Sequence, residues 1–209
     1  IEIQRFFKEC DSYVLRKKTP GRPYVYPALY RFLYCCGARC GEARHLRCEN
    51  VHLSDGYLDI LQSKGHRDRR LFLSDELISY LIEYDCAIRN CFPKREYFFP
   101  GPSGNIISAS SIPFNFRKIW LAAGLKRDGE IKPRPYDFRH HFACANIARW
   151  AKEKKDVISM LPYLMRYMGH SSLEKTYYYV HLIPDYFADY AAATENLESL
   201  LPEVEPYEI

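Results

Sequence analysis

The sequence predicts a mainly α-helical protein with one small antiparallel β-sheet of three strands. In several stretches apolar residues recur every three to four positions, which is the spacing of an amphipathic helix. Between residues 51 and 73 the pattern changes to short β-prone runs separated by glycine-containing turns. The chain has 209 residues, 47% of them hydrophobic, so we expect one domain with a substantial core.

The first part of the chain leads into a buried helix. Residues 1–23 indicate an opening segment that ends in two prolines and a glycine, which interrupt regular structure. The run 27–36 is apolar at most positions and predicts a buried helix that Gly37 interrupts. Residues 41–46 continue in a helical pattern.

The sheet is expected next, from three β-prone runs at 51–53, 57–61 and 71–73. A Ser-Asp-Gly turn separates the first two runs. A Lys-Gly-His turn separates the last two, and it contains Lys64. We therefore place Lys64 at the second turn of the sheet.

The rest of the chain is helical in pattern. Ser74 and Asp75 can cap the first of these helices, and Ser110 or Ser111 can begin the next, which ends near Gly124. After a proline-rich connection, further helices are predicted at 137–151, 156–167, 171–180 and 184–201.

Positive charge lies in the body of the chain and negative charge at its end. Residues 1–184 hold all 30 Lys and Arg residues and 19 of the 26 acidic ones, a net charge of +11. Residues 185–209 hold the other seven acids. A basic body is compatible with a polyanionic partner such as nucleic acid. A solvated charged surface is the alternative that charge alone leaves open.

The eight cysteines do not form a zinc-finger pattern, since no two of them have CxxC spacing. Reduced thiols in an intracellular protein are the simplest interpretation. No apolar run approaches the roughly 18 residues of a membrane span, and no signal peptide is recognisable, so we expect no membrane association.

Arg39 lies between two apolar stretches, which is an unusual place for a charged residue. Glu42 follows three residues later and can hold Arg39 on one face of a helix. Taken alone, this pair indicates a structural salt bridge.

Two further motifs lie later in the chain. The letters YDFR occupy 136–139, and MGHSS occupies 168–172. Tyr179 follows His170 by nine residues, and His181 comes two positions after Tyr179. Any one motif is weak on its own, but a fixed order of several is specific.

With Arg39 and Lys64, these motifs resemble the catalytic domain of the tyrosine recombinase (phage integrase) family in both order and separation. The resemblance extends from about residue 25 to residue 182, and it implies the fold of that catalytic domain. The catalytic residues that it implies are Arg39, Lys64, Tyr136, Arg139, His170 and Tyr179, with Glu42 and His181 in supporting positions.

The resemblance also implies a reaction. The hydroxyl of Tyr179 would attack a DNA phosphodiester, while Arg39 and Arg139 hold its non-bridging oxygens and His170 donates a further hydrogen bond. Lys64 would protonate the leaving 5′ oxygen. These residue types suit the chemistry, because guanidinium forks stay charged and bind phosphate oxygens in pairs. The 3′-phosphotyrosine product keeps the bond energy, so no cofactor and no metal is expected.

Two positions leave alternatives open. The family pattern has His where this chain has Tyr136, and a tyrosine is neutral at pH 7 and cannot act as a cationic acid. If that position must move a proton, either the enzyme is slow or another group, such as His140 or His141, does so. In the run of three tyrosines, Tyr178 is the alternative nucleophile to Tyr179.

Other basic residues, such as Arg44, Arg69 and Lys118, could contact DNA phosphates, and for each of them a solvated surface charge is an equal alternative.

The function that the resemblance implies is site-specific recombination or integration of DNA, for a mobile genetic element. We expect 1–23 to be a linker from an N-terminal core-binding domain, 24–183 the catalytic domain, and 184–209 a C-terminal helix with an acidic tail. The partners would be double-stranded DNA and further protomers, in a tetramer formed through that helix. The location would be the cytoplasm, at the nucleoid. A type IB topoisomerase-like enzyme and a catalytically impaired DNA-binding relative are the alternatives.

Overall fold

A computed structural model describes residues 2–15, 21–61, 68–125, 133–180 and 182. Its helices are α1 (Glu2–Leu15), α2 (Arg22–Cys36), α3 (Cys40–His45), α4 (Asp75–Cys91), α5 (Ser111–Ala122), α6 (Asp137–Lys152), α7 (Val157–Met168) and α8 (Glu174–Val180). The strands are β1 (Val51–His52), β2 (Tyr57–Ile60) and β3 (Arg69–Phe72). None of these helices combines the length and the apolar character that a bilayer span requires.

The three strands form one antiparallel sheet in the order β1-β2-β3. Leu58 at the centre of β2 pairs with Val51 on one side and Leu71 on the other. Leu58, Ile60 and Leu71 are buried, while alternate residues of β2 and β3 are less so, as expected for a sheet with one face on the core. The predicted fold class, mainly α with a small three-stranded antiparallel sheet, is confirmed.

Helix α1 packs into the first of two hydrophobic cores. Its Phe6 is completely buried, and its ring centroid lies 4.9 Å from Phe116 of α5 and 5.7 Å from Phe138 of α6. Helix α1 therefore packs on the same core as α5 and α6, and aromatic burial of this kind stabilises packing strongly. The boundary expected at residue 23 stays a prediction.

A second, smaller core lies between α6, α7 and α8. Ile147 and Leu161 are fully buried there, and Tyr179 and Val180 attach α8 to it. Helix α6 joins the two cores, because Phe138 belongs to the first and Ala143 to the second. Arg139 therefore lies at the junction of the two cores.

Two helix starts differ from the sequence prediction by more than one residue. Helix α2 begins at Arg22 and not at residue 27, because Pro23 lies in its first turn, where no backbone N–H is needed. Helix α8 begins at Glu174 and not at residue 171. Ser74 caps α4 as predicted, since its hydroxyl accepts a hydrogen bond from the Leu77 backbone N–H. The predicted Lys64 turn and the helix predicted at 184–201 lie outside the described residues.

Replacing Phe6 tests whether α1 belongs to the catalytic body. Phe6→Ala should lower the free energy of unfolding by roughly 3 to 5 kcal/mol, because it removes a fully buried ring. Urea unfolding followed by circular dichroism measures this change. Phe114→Ala is the matched control, because Phe114 is 56% exposed and its loss should cost under about 1 kcal/mol. Equal small losses for both variants would show that α1 does not stabilise the catalytic body.

Candidate active site

The short turn between α2 and α3 brings Arg39 out of the core. Gly37 ends α2 in the left-handed conformation (φ 59°), and Arg39 is the extended residue that precedes α3. The Glu42 carboxylate accepts hydrogen bonds from the backbone N–H of Arg39 at 2.8 Å and from its Nη1 at 2.7 Å. The salt bridge expected from the sequence is therefore present, and it also caps the first turn of α3.

Arg139 lies in the first turn of α6 and is only 1% exposed. Its Nη1 donates to the carbonyl of Gly37 at 2.7 Å and its Nη2 to the carbonyl of Met168 at 2.5 Å. Burial and then the nearby charge of Arg39 lower the pKa of Arg139 to about 10, which still leaves the guanidinium protonated at neutral pH.

Three consecutive carbonyls at the C-terminal end of α7 each accept a hydrogen bond from a different arginine side chain. Arg39 Nη2 donates to Gly169 at 2.8 Å, and Arg69 Nε donates to Tyr167 at 2.6 Å. Arg139 binds the carbonyl between them. The last carbonyls of a helix have no partners within the helix and lie at the negative end of its dipole, so they attract cations.

Gly169 makes this arrangement possible. Its φ of 64° is left-handed, as at many helix ends. A Cβ atom at this position would lie 3.1 Å from Arg69 Nη1 and 3.5 Å from Arg39 Nη1. The left-handed conformation therefore favours glycine at this position of the MGHSS motif, and a Cβ there would also press on the Arg69 guanidinium.

Arg69 is the residue of this group that sequence reasoning interpreted wrongly. The sequence leaves open a DNA phosphate contact or a solvated surface charge for Arg69, but its side chain is only 7% exposed and forms a paired hydrogen bond with Glu42 at 2.9 and 3.0 Å. Its position at the start of β3 contained no signal for this, because the partner, Glu42, lies 27 residues earlier.

His170 follows directly after Gly169 and is largely buried. Its Nδ1 lies 2.9 Å from the hydroxyl of Thr176 in α8. Burial, and then the positive charges of Arg139 and Arg39, lower the pKa of His170 to about 4. The imidazole is therefore neutral at pH 7 and can donate one hydrogen bond and accept another.

Tyr179 faces this group of residues, whereas Tyr178 faces solvent. Tyr179 is 3% exposed, and Tyr178 is 55% exposed. The ring of Tyr179 lies parallel to that of His170, with centroids 6.0 Å apart. Burial raises the pKa of Tyr179 to about 12, although the charge of Arg139 acts in the opposite direction. Of the two candidates for nucleophile, Tyr179 is the one that is buried beside His170.

Tyr136 and His140 lie at the rim of the same group. Tyr136 is 41% exposed, and its ring meets the edge of His140 at a centroid distance of 5.0 Å. His140 in turn lies 5.5 Å from the ring of Tyr179, and its buried Nδ1 has no hydrogen-bond partner among the described residues. His141 points elsewhere, with its ring stacked on Tyr34. Of the two neighbouring histidines, the structure brings His140 to Tyr179.

Five of the predicted site residues thus come together: Arg39, Glu42, Arg139, His170 and Tyr179. Tyr136 lies beside them, while Lys64 and His181 lie outside the described residues. A cleft of about 780 Å³ lies next to Arg39 and Glu42 and reaches Arg47 and Tyr97. Within the described ranges, no three His, Cys, Asp or Glu side chains form a metal-ligand cluster. The arrangement combines fixed positive charge with a buried hydroxyl, which is what attack on a phosphodiester requires.

The sequence also matches the model of a known protein family over most of its length. The sequence model described as "Phage integrase family" matches residues 2–185. The chain belongs to the phage integrase family. The matched range begins at the first residue of α1. It includes every site residue predicted from the sequence.

Among curated members of the phage integrase family, a putative integrase/recombinase y4rE of Sinorhizobium fredii is 32% identical over 165 residues, covering 77% of this chain and 52% of that protein. The tyrosine recombinase XerC of Lactobacillus delbrueckii is 27% identical over 183 residues, covering 85% of this chain and 58% of XerC. The chain thus spans about half the length of the curated relatives that it matches.

Solved structures of the family share the fold. The crystal structure of XerA recombinase matches with a TM-score of 0.69 at 21% identity, covering 97% of this chain and 62% of XerA. The catalytic domain of bacteriophage HP1 integrase matches with a TM-score of 0.56 at 21% identity, covering 91% of this chain and 90% of that domain. The fold is therefore that of a tyrosine recombinase catalytic domain.

The lowered pKa of His170 predicts a pH dependence of stability. Between pH 6.5 and about 4, the unfolded chain binds a proton at this residue that the folded chain does not bind, so stability falls as the pH falls. His170→Gln should reduce the stability lost between pH 7 and pH 4.5 by on the order of 1 kcal/mol. Urea unfolding at both pH values measures the loss, and His141→Gln, at an exposed histidine, is the control. An identical loss in the wild type and in His170→Gln would contradict the prediction.

Proposed function

We propose that this chain is the catalytic domain of a site-specific DNA recombinase that cleaves and rejoins strands through a covalent 3′-phosphotyrosine intermediate. The observation that carries this proposal is the convergence of Arg39, Arg139, His170 and Tyr179 from four separate elements. A purely structural role would not require two guanidinium groups at the end of α7 next to a histidine whose ring faces a buried tyrosine. A mobile genetic element, acting on nucleoid DNA in the cytoplasm, is the setting that we infer.

In the proposed reaction, the Tyr179 oxygen forms a bond to phosphorus while the bond from phosphorus to the 5′ oxygen breaks. Arg39 and Arg139 stabilise the negative charge that builds up on the non-bridging oxygens. The 5′ oxygen needs a proton as it leaves, and we assign its delivery to Lys64.

Tyr179 must lose its own proton, and its pKa of about 12 makes a nearby base necessary. His170 and His140 are the imidazoles in ring contact with it. Burial lowers the pKa of both histidines, so both are neutral at pH 7 and each has an unprotonated ring nitrogen, although the same shift makes each a weaker base.

The tyrosine at position 136 is a reason to consider a second candidate function, that of a catalytically impaired DNA-binding relative. The position that carries His in the family pattern is a half-exposed tyrosine here. Because Tyr136 packs on His140, which packs on Tyr179, the hydroxyl of Tyr136 and the imidazole of His140 together can replace the hydrogen-bonding part of that missing histidine. This reasoning favours an active enzyme.

For assembly, we propose that several protomers act together on paired DNA sites through residues 184–209. The apolar positions predicted there, such as Phe187 and Leu197, suit docking on a neighbouring protomer, and the acids that follow can compete with DNA phosphate at the site. Residues 1–23 would continue towards a core-binding domain, with α1 as part of the catalytic body.

The nucleophile can be identified with nicked duplexes from the DNA that flanks the gene, with the nick placed at successive positions. Cleavage releases a short fragment and traps the protein on DNA, which a denaturing gel detects. Tyr179→Phe should abolish the adduct and leave DNA affinity nearly unchanged, because only a hydroxyl is lost. Tyr178→Phe is the matched control and should form the adduct at the wild-type rate. The opposite result would assign the reaction to Tyr178, and a wild type that forms no adduct would favour a binding role.

The role of Tyr136 can be measured in the same assay. Tyr136→His should keep or raise the cleavage rate, because imidazole can both donate a hydrogen bond and carry a proton. Tyr136→Phe should lower the rate by about tenfold, which corresponds to the loss of one hydrogen bond. Wild-type cleavage by Tyr136→Phe would mean that the hydroxyl contacts nothing that matters for the reaction.

Truncation after Leu182 tests the proposed docking segment. The shortened protein should assemble less cooperatively on paired sites in gel-shift titrations, while single-site cleavage stays the same or increases. Circular dichroism must first establish that it is folded. Unfolding of the truncated chain would mean that residues 184–209 stabilise their own protomer, which contradicts the docking role.

A further inference from the structure

Arg69 is held by three hydrogen bonds to two partners, and little of its side chain is exposed. Its two Nη atoms donate to the two carboxylate oxygens of Glu42, and its Nε donates to the carbonyl of Tyr167. This paired geometry is the strongest form of an arginine–carboxylate contact. With 7% of its side chain exposed, Arg69 is a buried charge whose partner is Glu42.

Glu42 is shared between two arginines. Besides the two bonds from Arg69, its carboxylate accepts one from Arg39 Nη1 and one from the Arg39 backbone. Burial alone would raise the pKa of Glu42, but the hydrogen bonds and charge of Arg69, together with Arg39, hold it below its ordinary value. Glu42 therefore carries a full negative charge at neutral pH.

The net charge of this group depends on Arg69. One carboxylate and two guanidinium groups leave one positive charge, whereas Arg39 and Glu42 alone would form a neutral pair. A neutral pair attracts a phosphate much less than a free guanidinium does, because the carboxylate repels it. We propose that Arg69 neutralises Glu42 and so leaves the positive charge of Arg39 available for the scissile phosphate.

Arg39 is more exposed than Arg69, which supports a phosphate-binding role for Arg39 and a charge-neutralising role for Arg69. The Arg39 side chain is 27% exposed and borders the 780 Å³ cleft, whereas Arg69 lies behind it on the side of β3 and α7. A Cβ atom at position 169 would approach Arg69 Nη1 to 3.1 Å and Arg39 Nη1 to 3.5 Å, so the glycine leaves room for the two guanidinium groups side by side. Arg69 is thus a positioning residue that acts through Glu42 on Arg39, and this role rests on the proposed function.

A purely structural role for Arg69 makes a different prediction. If Arg69 only fastened β3 to α3 and α7, removal of Glu42 as well could restore stability, as loss of both partners of a buried ion pair often does, but it would not change phosphate affinity. If its role is to neutralise charge, removal of the carboxylate should compensate for removal of the guanidinium. The decisive comparison is therefore between Arg69→Gln and the double variant Arg69→Gln/Glu42→Gln, which is a double-mutant cycle.

With the nicked duplexes, Arg69→Gln should lower the cleavage rate by about 10- to 100-fold, which is the value of one hydrogen bond to a charged group. DNA affinity should change little, since the affinity of a protein for a duplex is generally the sum of many phosphate contacts. The double variant should recover most of the lost rate. Arg89→Gln is the matched control, because Arg89 also pairs with a carboxylate but is 67% exposed on α4, and it should cleave at the wild-type rate. A double variant slower than Arg69→Gln would overturn the proposal.

A second readout does not depend on cleavage. Inorganic phosphate can be titrated into each variant while NMR follows the arginine side-chain N–H signals. Arg69→Gln should raise the phosphate dissociation constant at Arg39 by about tenfold, and the double variant should restore it. Unchanged phosphate binding in Arg69→Gln would overturn the inference. If the phosphate result holds but the wild type forms no DNA adduct, it is the proposed function that fails.

If Arg69→Gln does not fold, Glu42→Gln alone gives the answer. Removal of the negative charge should leave phosphate affinity equal to or above that of the wild type. Arg69→Lys should keep the cleavage rate within about tenfold of wild type, because it keeps the charge and loses the paired geometry. Weaker phosphate binding by Glu42→Gln would contradict the role in charge neutralisation.

Discussion

The candidate site depends on the C-terminal end of α7. Three consecutive carbonyls, of Tyr167, Met168 and Gly169, each accept a hydrogen bond from a different arginine. Three guanidinium groups so close together would repel one another, and two of them are nearly fully buried. The negative end of the helix dipole and the Glu42 carboxylate offset that repulsion. The left-handed turn at Gly169 ends the helix at this point and directs His170 towards Tyr179.

The surroundings of this cluster shift the pKa values of His170 and Tyr179 in opposite directions. These are the two groups that we propose to exchange a proton. Burial and the neighbouring arginines keep His170 neutral, with a pKa of about 4. Burial keeps Tyr179 protonated, with a pKa of about 12. A neutral imidazole beside a protonated phenol is an acid–base pair in its resting state, and pairs set apart in this way are typical of catalytic sites. A phosphate held by the arginines would complete the set.

Much of this architecture could be predicted from the sequence, because its signals are local. The sheet followed from β-prone runs and turns, and the cap of α4 from Ser74. The motifs placed Arg39, Arg139, His170 and Tyr179 together through family resemblance. What could not be predicted depends on contacts between residues distant in the chain. The burial of Phe6 and the pairing of Arg69 with Glu42 leave no periodic pattern in the sequence. The packing of His140 between Tyr136 and Tyr179 is of the same kind.

The most direct test of the account is a crystal structure of the chain bound to a nicked DNA duplex with the Tyr179 hydroxyl removed. The account predicts that the scissile phosphate lies within hydrogen-bond distance of Arg39 and Arg139, next to the ring at position 179. Arg69 should remain on Glu42 and the Tyr167 carbonyl, as it is without DNA. A phosphate bound by Arg69, or one placed away from the end of α7, would contradict it.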